Sequence, residues 1–87
     1  MPDLKLCWRR SSPNYFNADF GPAAVEVRRP KTWKKDAIER PWRVSQIFGR
    51  YVGGRESHET PEDAMAEAEA IAFRMAREIA EFLEGVR

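Results

Sequence analysis

The chain has 87 residues, of which 43% are hydrophobic and 33% charged. This length allows one hydrophobic core, and the composition is that of a globular protein rather than a disordered or collagen-like one. Charged residues interrupt the apolar positions near the N-terminus, and nowhere do about 18 apolar residues run together, so we expect neither a signal peptide nor a membrane span. The expectation is therefore a single domain over residues 1–87, located in the cytoplasm.

The net charge of +1 conceals an uneven distribution along the chain. Residues 1–55 hold twelve Lys and Arg against five Asp and Glu, whereas residues 56–87 hold three against nine. A basic half is followed by an acidic half, a property that bears on association rather than on fold. With Cys7 as the one cysteine, no disulfide can form within the chain, which fits a reducing compartment.

Apolar and polar residues alternate in three early segments, the pattern of strands with one buried face. These segments are residues 4–9, 16–20 and 23–27, with Gly21-Pro22 as the turn between the last two. From residue 30 to 41 the chain is irregular, and we expect a loop with at most one helical turn.

A longer fourth strand is predicted from Trp42 to Val52, which is rich in β-branched and aromatic residues. Gly53-Gly54 is typical of a two-residue hairpin turn into a short fifth strand, Arg55 to His58. Along the fourth strand the apolar residues change faces, which indicates either a strand covered on both sides or a bulge at Gly49.

Residues Thr60 to Glu84 are predicted to form one long amphipathic helix. Thr60 is suited to accept from the backbone N–H of Asp63, and Pro61 occupies the first helical position. Gly85 is a natural terminator. Apolar residues recur every three or four positions and predict a buried stripe along the whole helix: Met65, Ala68, Ala72, Met75, Ile79, Phe82 and Val86, widened by Ile71 and Leu83.

The predicted fold class is therefore α+β. A small antiparallel sheet of three to five strands, arranged as a meander over about residues 4–58, packs against one C-terminal helix over about residues 61–84.

The basic segment that follows the third strand is the first candidate site. Five cations surround one tryptophan, and these residue types contact phosphates and stack on bases. A solvated loop whose tryptophan covers the edge of the core, and contact with an acidic protein surface, are the alternatives. The candidate residues are Arg28, Arg29, Lys31, Trp33, Lys34 and Lys35.

Phe73 is the second candidate, because it points away from the apolar stripe into the acidic, exposed face of the predicted helix, among Glu62, Glu69, Arg77 and Glu84. It is either an anchor for a partner or second subunit, or it is covered by a loop.

Metal binding and catalysis are not expected. His58 lies among Glu56, Glu59 and Glu62, but no second His or Cys pair is near it in the sequence. Ser57 and Cys7 lack the facing base that a nucleophile needs. An enzyme built from scattered Asp, Glu and Arg is the remaining alternative.

The motif Glu59-Thr60-Pro61-Glu62-Asp63-Ala64, followed by Ala72-Phe73-Arg74-Met75, resembles part of the helix in AP2/ERF-type DNA-binding domains. Those domains are a small antiparallel sheet followed by one helix, and they read the major groove with the sheet. The segment from Gly54 to Thr60 departs from the family pattern. The resemblance implies four DNA-contacting residues: Trp42, Arg43, Arg50 and Arg55.

The preferred hypothesis is a binding protein without catalytic activity or cofactor. It docks its charged surface on a protein or nucleoprotein complex, in the manner of small phage or mobile-element inhibitors such as anti-CRISPR proteins, an analogy of type rather than of motif. Direct DNA binding through the sheet is the alternative, and a homodimer through the helix is a further arrangement to test.

Overall fold

One antiparallel sheet packs against one long helix. The computed structural model describes residues 3–30, 39–51 and 57–86. Its elements, in chain order, are β1 Trp8–Ser12, β2 Tyr15–Phe20, β3 Ala23–Arg28, β4 Trp42–Ile47, β5 Arg50–Tyr51, β6 Ser57–His58 and α1 Pro61–Gly85. The α+β class and the meander topology are confirmed.

The strands follow one another in the order β1-β2-β3-β4-β5, and every described pair is antiparallel. β6 pairs with β4 as well, with Trp42 opposite His58. From β1 to β5 each strand pairs with the next strand in sequence, whereas β6 follows β5 in sequence and pairs with β4.

The first strand begins later than the sequence predicts. Leu4 and Leu6 precede β1 and pack against the core in an irregular segment with a bend at Leu6, without pairing to β2. The carboxylate of Glu69 on α1 accepts the backbone N–H groups of Lys5 at 2.8 Å and Leu6 at 2.9 Å. A helix side chain therefore takes the place of a neighbouring strand here.

The predicted fourth strand is two strands. Phe48 and Gly49 have φ angles of 55° and 78°, and this tight turn joins β4 to β5. The change of faces comes from an irregularity earlier in β4, where Val27 lies opposite Val44 but Glu26 lies opposite Gln46. This register shift leaves Ser45 without an opposite residue, so the bulge is at Ser45 and not at Gly49.

Other expectations fall outside the described residues. They are the hairpin turn at Gly53-Gly54 and the single helical turn before Pro41.

The start of α1 is confirmed. Thr60 Oγ1 accepts from the backbone N–H of Asp63 at 3.2 Å, and Pro61 is the first helical residue. The helix ends at Gly85, where the backbone N–H of Val86 donates to the carbonyl of Leu83 at 3.3 Å. Gly85 is not in the left-handed conformation that makes glycine a common helix terminator.

The buried stripe covers only half of α1, so the expectation of a stripe buried along the whole helix is wrong. The core contains helix residues from Ala64 to Ala72, packed on Val25, Val27 and Val44 of the sheet. Beyond Ala72 the stripe is no longer buried by the sheet. Met75 is partly buried, and the large apolar side chains after it are exposed.

The shape of the molecule follows from this arrangement. A helix of 25 residues is about 37 Å long, and the molecule measures 51 Å along its longest axis against 23 Å and 22 Å across. The sheet contacts α1 through its first half, so the second half extends the molecule along that axis. Among the described residues, no helix combines the length and the apolar character needed to cross a membrane.

Candidate functional site: an arginine-rich end of the sheet

Arg28 and Arg43 lie directly opposite each other on β3 and β4. Residues opposite each other in an antiparallel ladder point to the same face. Val25 and Val27 of β3 face the helix, so Arg28, one residue further along, points to the other face of the sheet. The side chains of Arg28 and Arg43 therefore extend from neighbouring positions on the face away from α1.

Residues on the two neighbouring strands lie beside this pair and extend it into a row across the sheet. Tyr15 on β2 lies opposite Arg28, and the Arg28 guanidinium lies 5.4 Å from the centre of its ring. On the other side, Ser57 of β6 lies opposite Arg43. Two arginines are thus flanked by two hydroxyl-bearing residues in one row across four strands.

Two further arginines lie at the same end of the sheet, on the face that carries the helix. The guanidinium of Arg10 lies 5.6 Å from the ring centre of Phe16, and that of Arg29 lies 5.4 Å from the ring of Trp42. Phe16 and Trp42 contact each other edge to face, with ring centres 5.5 Å apart. The four arginines, Arg10, Arg28, Arg29 and Arg43, form what we call the arginine end.

The turn between β1 and β2 holds Arg29 in place. Its backbone N–H donates to the carbonyl of Asn14 at 2.9 Å, and its Nε donates to Asn14 Oδ1 at 2.8 Å. An arginine fixed by both its backbone and its side chain loses less conformational freedom when it binds a ligand.

No ion pair neutralises the arginine end within residues 3–30, 39–51 and 57–86. The salt bridges found there join Arg9 to Asp19, Arg40 to Glu59 and His58 to Glu67. Like charges directly opposite in a sheet destabilise it. The Arg28–Arg43 pair therefore favours a bound anion, which would remove the repulsion.

The structure brings together only part of the predicted basic site. Arg28, Arg29 and Arg43 meet at the arginine end, joined by Arg10, which sequence analysis missed. The sequence feature that could have identified Arg10 is its position just before the turn that joins β1 to β2. Arg50 lies at the opposite end of β4, beside Ile47, and does not belong to the cluster. The other predicted basic-site residues, Lys31, Trp33, Lys34, Lys35 and Arg55, lie outside the described residues.

Phe73 is partly covered by the protein itself. Its ring lies 5.2 Å from that of Phe20 in an edge-to-face contact, and Lys5 Nζ lies 6.0 Å from its centre. With 43% of its surface exposed, it borders a small hollow next to the N-terminal segment. Of the two predicted roles, this geometry supports cover by neighbouring segments, and the role of anchor stays a prediction.

Glu69 is the polar residue that sequence analysis misplaced, since it was assigned to the exposed acidic face. It is 5% exposed and also accepts from Trp8 Nε1 at 2.9 Å, in addition to the two backbone donors. The sequence feature that could have indicated its burial is its position beside the apolar stripe. Its role is to hold the N-terminal segment against α1.

His58 is paired with a carboxylate, since its Nε2 lies 3.2 Å from Glu67 Oε1. Within the described part of the chain, no three His, Cys, Asp or Glu residues are grouped as metal ligands would be. A hollow of about 340 Å³ lies at the end of the sheet away from the arginine end, and Glu26 Oε2 makes no hydrogen bond among the described residues. The hollow is lined by Pro22, Ala23, Ala24, Glu26, Gln46, Phe48 and Gly49.

Comparison with known proteins gives no relative. No protein-family model, no curated protein and no solved structure matches the chain. The AP2/ERF resemblance thus has no support outside its own motif. Trp42, one of the four residues that it implied for DNA contact, is 6% exposed and packs on Phe16.

Proposed function

We propose that the protein is a non-catalytic binding protein that docks on a nucleoprotein complex by contacting its phosphate groups with the arginine end. The observation that carries this proposal is the pair of Arg28 and Arg43, which lie directly opposite each other on one face of the sheet and have no ion-pair partner among the described residues. Guanidinium groups bind phosphate oxygens in pairs through parallel N–H donors, which makes arginine well suited to this ligand.

The neighbouring aromatic rings support the same ligand class. Three of the four arginines lie over a ring, namely those of Tyr15, Phe16 and Trp42. A guanidinium stacked on a ring is held in one orientation while its N–H edges remain available for acceptors. The arrangement favours contact with a phosphate backbone over reading of bases, because the tryptophan is packed into the core.

Contact with an acidic protein surface is the second candidate for the same cluster. The chain has a basic half and an acidic half, so its own charge distribution resembles that of proteins that bind by charge complementarity. An inhibitor of the anti-CRISPR type could use either kind of contact, and that identification stays a prediction.

A salt titration with matched variants tests the proposal. Fluorescence anisotropy would follow binding of labelled duplex DNA and single-stranded RNA between about 50 mM and 200 mM salt. Binding through about three phosphates should give a log–log slope near −3 for a duplex. Replacing Arg28 and Arg43 with Gln should weaken binding and reduce the slope by about 2, since each phosphate contact contributes about 1.

Two other arginines provide controls. Arg9 is paired with Asp19, and Arg50 lies at the far end of β4. Replacing either with Gln should change the slope much less. If neither nucleic acid binds at the lowest salt, phosphate contact is wrong. Binding of poly-glutamate that is lost in the Arg28 and Arg43 variant would then identify an acidic protein surface as the target.

A further inference from the structure

The hollow of about 340 Å³ at the far end of the sheet lies between two turns. One turn joins β2 to β3 and the other joins β4 to β5, and residues of β3 and β4 complete the lining. The backbone N–H of Phe48 donates to the carbonyl of Ala24 at 2.8 Å, so a backbone hydrogen bond joins the two sides. The hollow is therefore part of the fold itself, and its volume is near the lower end of the range for ligand pockets, about 300–1,000 Å³.

Glu26 is the charged residue in the lining of this hollow. Val25 and Val27 face the helix, so Glu26 between them extends from the other face of the sheet. Its Oε2 atom is buried and accepts no hydrogen bond from the described residues. A buried acceptor without a donor costs free energy, and the cost is larger for a charged group. A ligand that brings a donor to this atom recovers that free energy.

The two amides beside Glu26 do not supply the missing donor. Asn17 lies opposite Glu26 on β2, and its Nδ2 donates to Ser11 Oγ at 2.8 Å. Gln46 lies opposite Glu26 on β4 and lines the same hollow, yet it makes no hydrogen bond to Oε2. The acceptor therefore remains available to a group that enters the hollow.

No cation in the described part of the chain neutralises Glu26. Arg9 is paired with Asp19 at 3.1 Å. Arg28 lies two residues further along β3, but its guanidinium lies over the ring of Tyr15, and none of the described ion pairs includes Glu26. The hollow therefore favours a positively charged ligand.

The other lining residues indicate which cation fits. Phe48 brings an aromatic ring to the hollow, and a ring attracts a cation held over its face. Pro22 and Ala24 add apolar surface, which suits the aliphatic stem of a long basic side chain. A guanidinium matches a carboxylate with parallel N–H donors and is less strongly hydrated than an ammonium group. Arginine is therefore favoured over lysine.

We propose that the hollow is a binding site for an arginine side chain of a protein partner, which donates to Glu26 Oε2. Assigning that arginine to the protein part of a nucleoprotein complex rests on the proposed function, whereas the site itself does not. Glu26 and Arg28 lie two residues apart on one strand, which is about 7 Å. One face of the sheet would thus contact an arginine and the phosphate beside it.

An NMR titration of the full ¹⁵N-labelled chain with the blocked peptide Gly-Arg-Gly tests the site. Chemical-shift changes should be concentrated at Ala24, Gln46 and Gly49, with a dissociation constant in the millimolar range, because a single side chain binds. The same peptide with norleucine in place of arginine should bind about tenfold more weakly or not at all, since it lacks the charged donors. A lysine peptide should bind with intermediate affinity.

Glu26→Gln keeps the shape of the side chain and removes its charge. It should weaken binding of the arginine peptide about tenfold, and it should not lower the melting temperature, because no described ion pair is lost. Asp19→Asn, at an exposed acid on the same face that is paired with Arg9, is the control and should leave peptide binding unchanged. Arg28→Gln/Arg43→Gln should bind the peptide at least as tightly as the wild type.

Three results would overturn the site: shifts outside the hollow, equal binding of the norleucine peptide, or full binding by the Glu26→Gln variant. A lower melting temperature of that variant would also contradict it, because the carboxylate would then already have its donor within the chain. Nucleic-acid binding without peptide binding would remove the arginine site alone. Peptide binding without nucleic-acid binding would remove the phosphate proposal and leave the site in place.

Discussion

The two halves of α1 carry one sequence pattern and have two different environments. From Ala64 to Ala72 the stripe is buried against the sheet, whereas from Ile79 to Val86 its side chains are at least half exposed. The pattern is the same because both halves are helical and both are amphipathic. The difference is that the described strands lie beneath one half only, so periodicity predicts which face of the helix is apolar and does not predict what packs on that face.

Truncation of matched residues in the two halves should give the largest difference. Met65→Ala removes a buried side chain and should lower the free energy of unfolding by about 2–5 kcal/mol. Phe82→Ala, on the same stripe, should lower it by about 0.5 kcal/mol or less when the protein is dilute, as is usual for an exposed position. Urea denaturation at low protein concentration measures both values. Similar losses would mean that the second half is packed as well.

Two glutamates extend the comparison between the halves of α1, because Glu69 is a buried charge in the first half. Glu69→Ala leaves the N–H groups of Lys5 and Leu6 and the indole N–H without their acceptor. Each buried donor left unpaired costs about 1–3 kcal/mol, less where water can reach it. We expect a total loss of about 2–3 kcal/mol. Glu78→Ala, an exposed glutamate of the second half, is the control, and an equal loss there would exclude the anchoring role.

The two ends of α1 should respond in opposite directions. Thr60→Ala removes the cap of the packed half and should cost about 1 kcal/mol. Gly85→Ala, at an end with open space around the added methyl group, should leave stability unchanged or raise it by about 0.5 kcal/mol. Thermal unfolding of the two variants gives the comparison. A destabilising Gly85→Ala would show that the C-terminal end is more constrained than its surroundings indicate.

The arginine end should give the smallest effect on stability and the clearest effect on binding. Arg28→Gln removes one of two like charges that lie opposite each other, so it should leave the unfolding free energy unchanged or raise it by about 0.5 kcal/mol. Unfolding in low and in high salt measures this repulsion, which salt screens. A clear loss of stability would mean that the cluster is already neutralised within the protein.

Local sequence signals predicted much of the fold. The strands from Tyr15 to Arg28 and the start of the helix at Thr60 were confirmed, because alternation and capping are short-range properties. The bulge at Ser45 was not predicted, because it depends on how β4 aligns with β3. The hydrogen bonds of Glu69 were missed for a similar reason, since their donors lie more than 60 residues away in the chain.

The candidate site was predicted only in part for the same physical reason. Arg28 and Arg29 are adjacent in sequence, so their proximity needs no fold. The pairing of β1, β2, β3 and β4 brings Arg10 and Arg43 close to them. Arg50 lies opposite Ile47, at the far end of β4, and is therefore distant from them. Sequence identifies residue types suited to phosphate, and only the register of the sheet decides which of them meet.

Hydrogen–deuterium exchange along α1 tests the difference between its two halves most directly. Backbone amides from Ala68 to Ala72 should be protected at every protein concentration, because the sheet covers them. Amides from Ile79 to Leu83 should exchange faster, because the described sheet does not cover that half of the helix. Equal protection of both halves would contradict the assignment of a packed half and an exposed half to one helix.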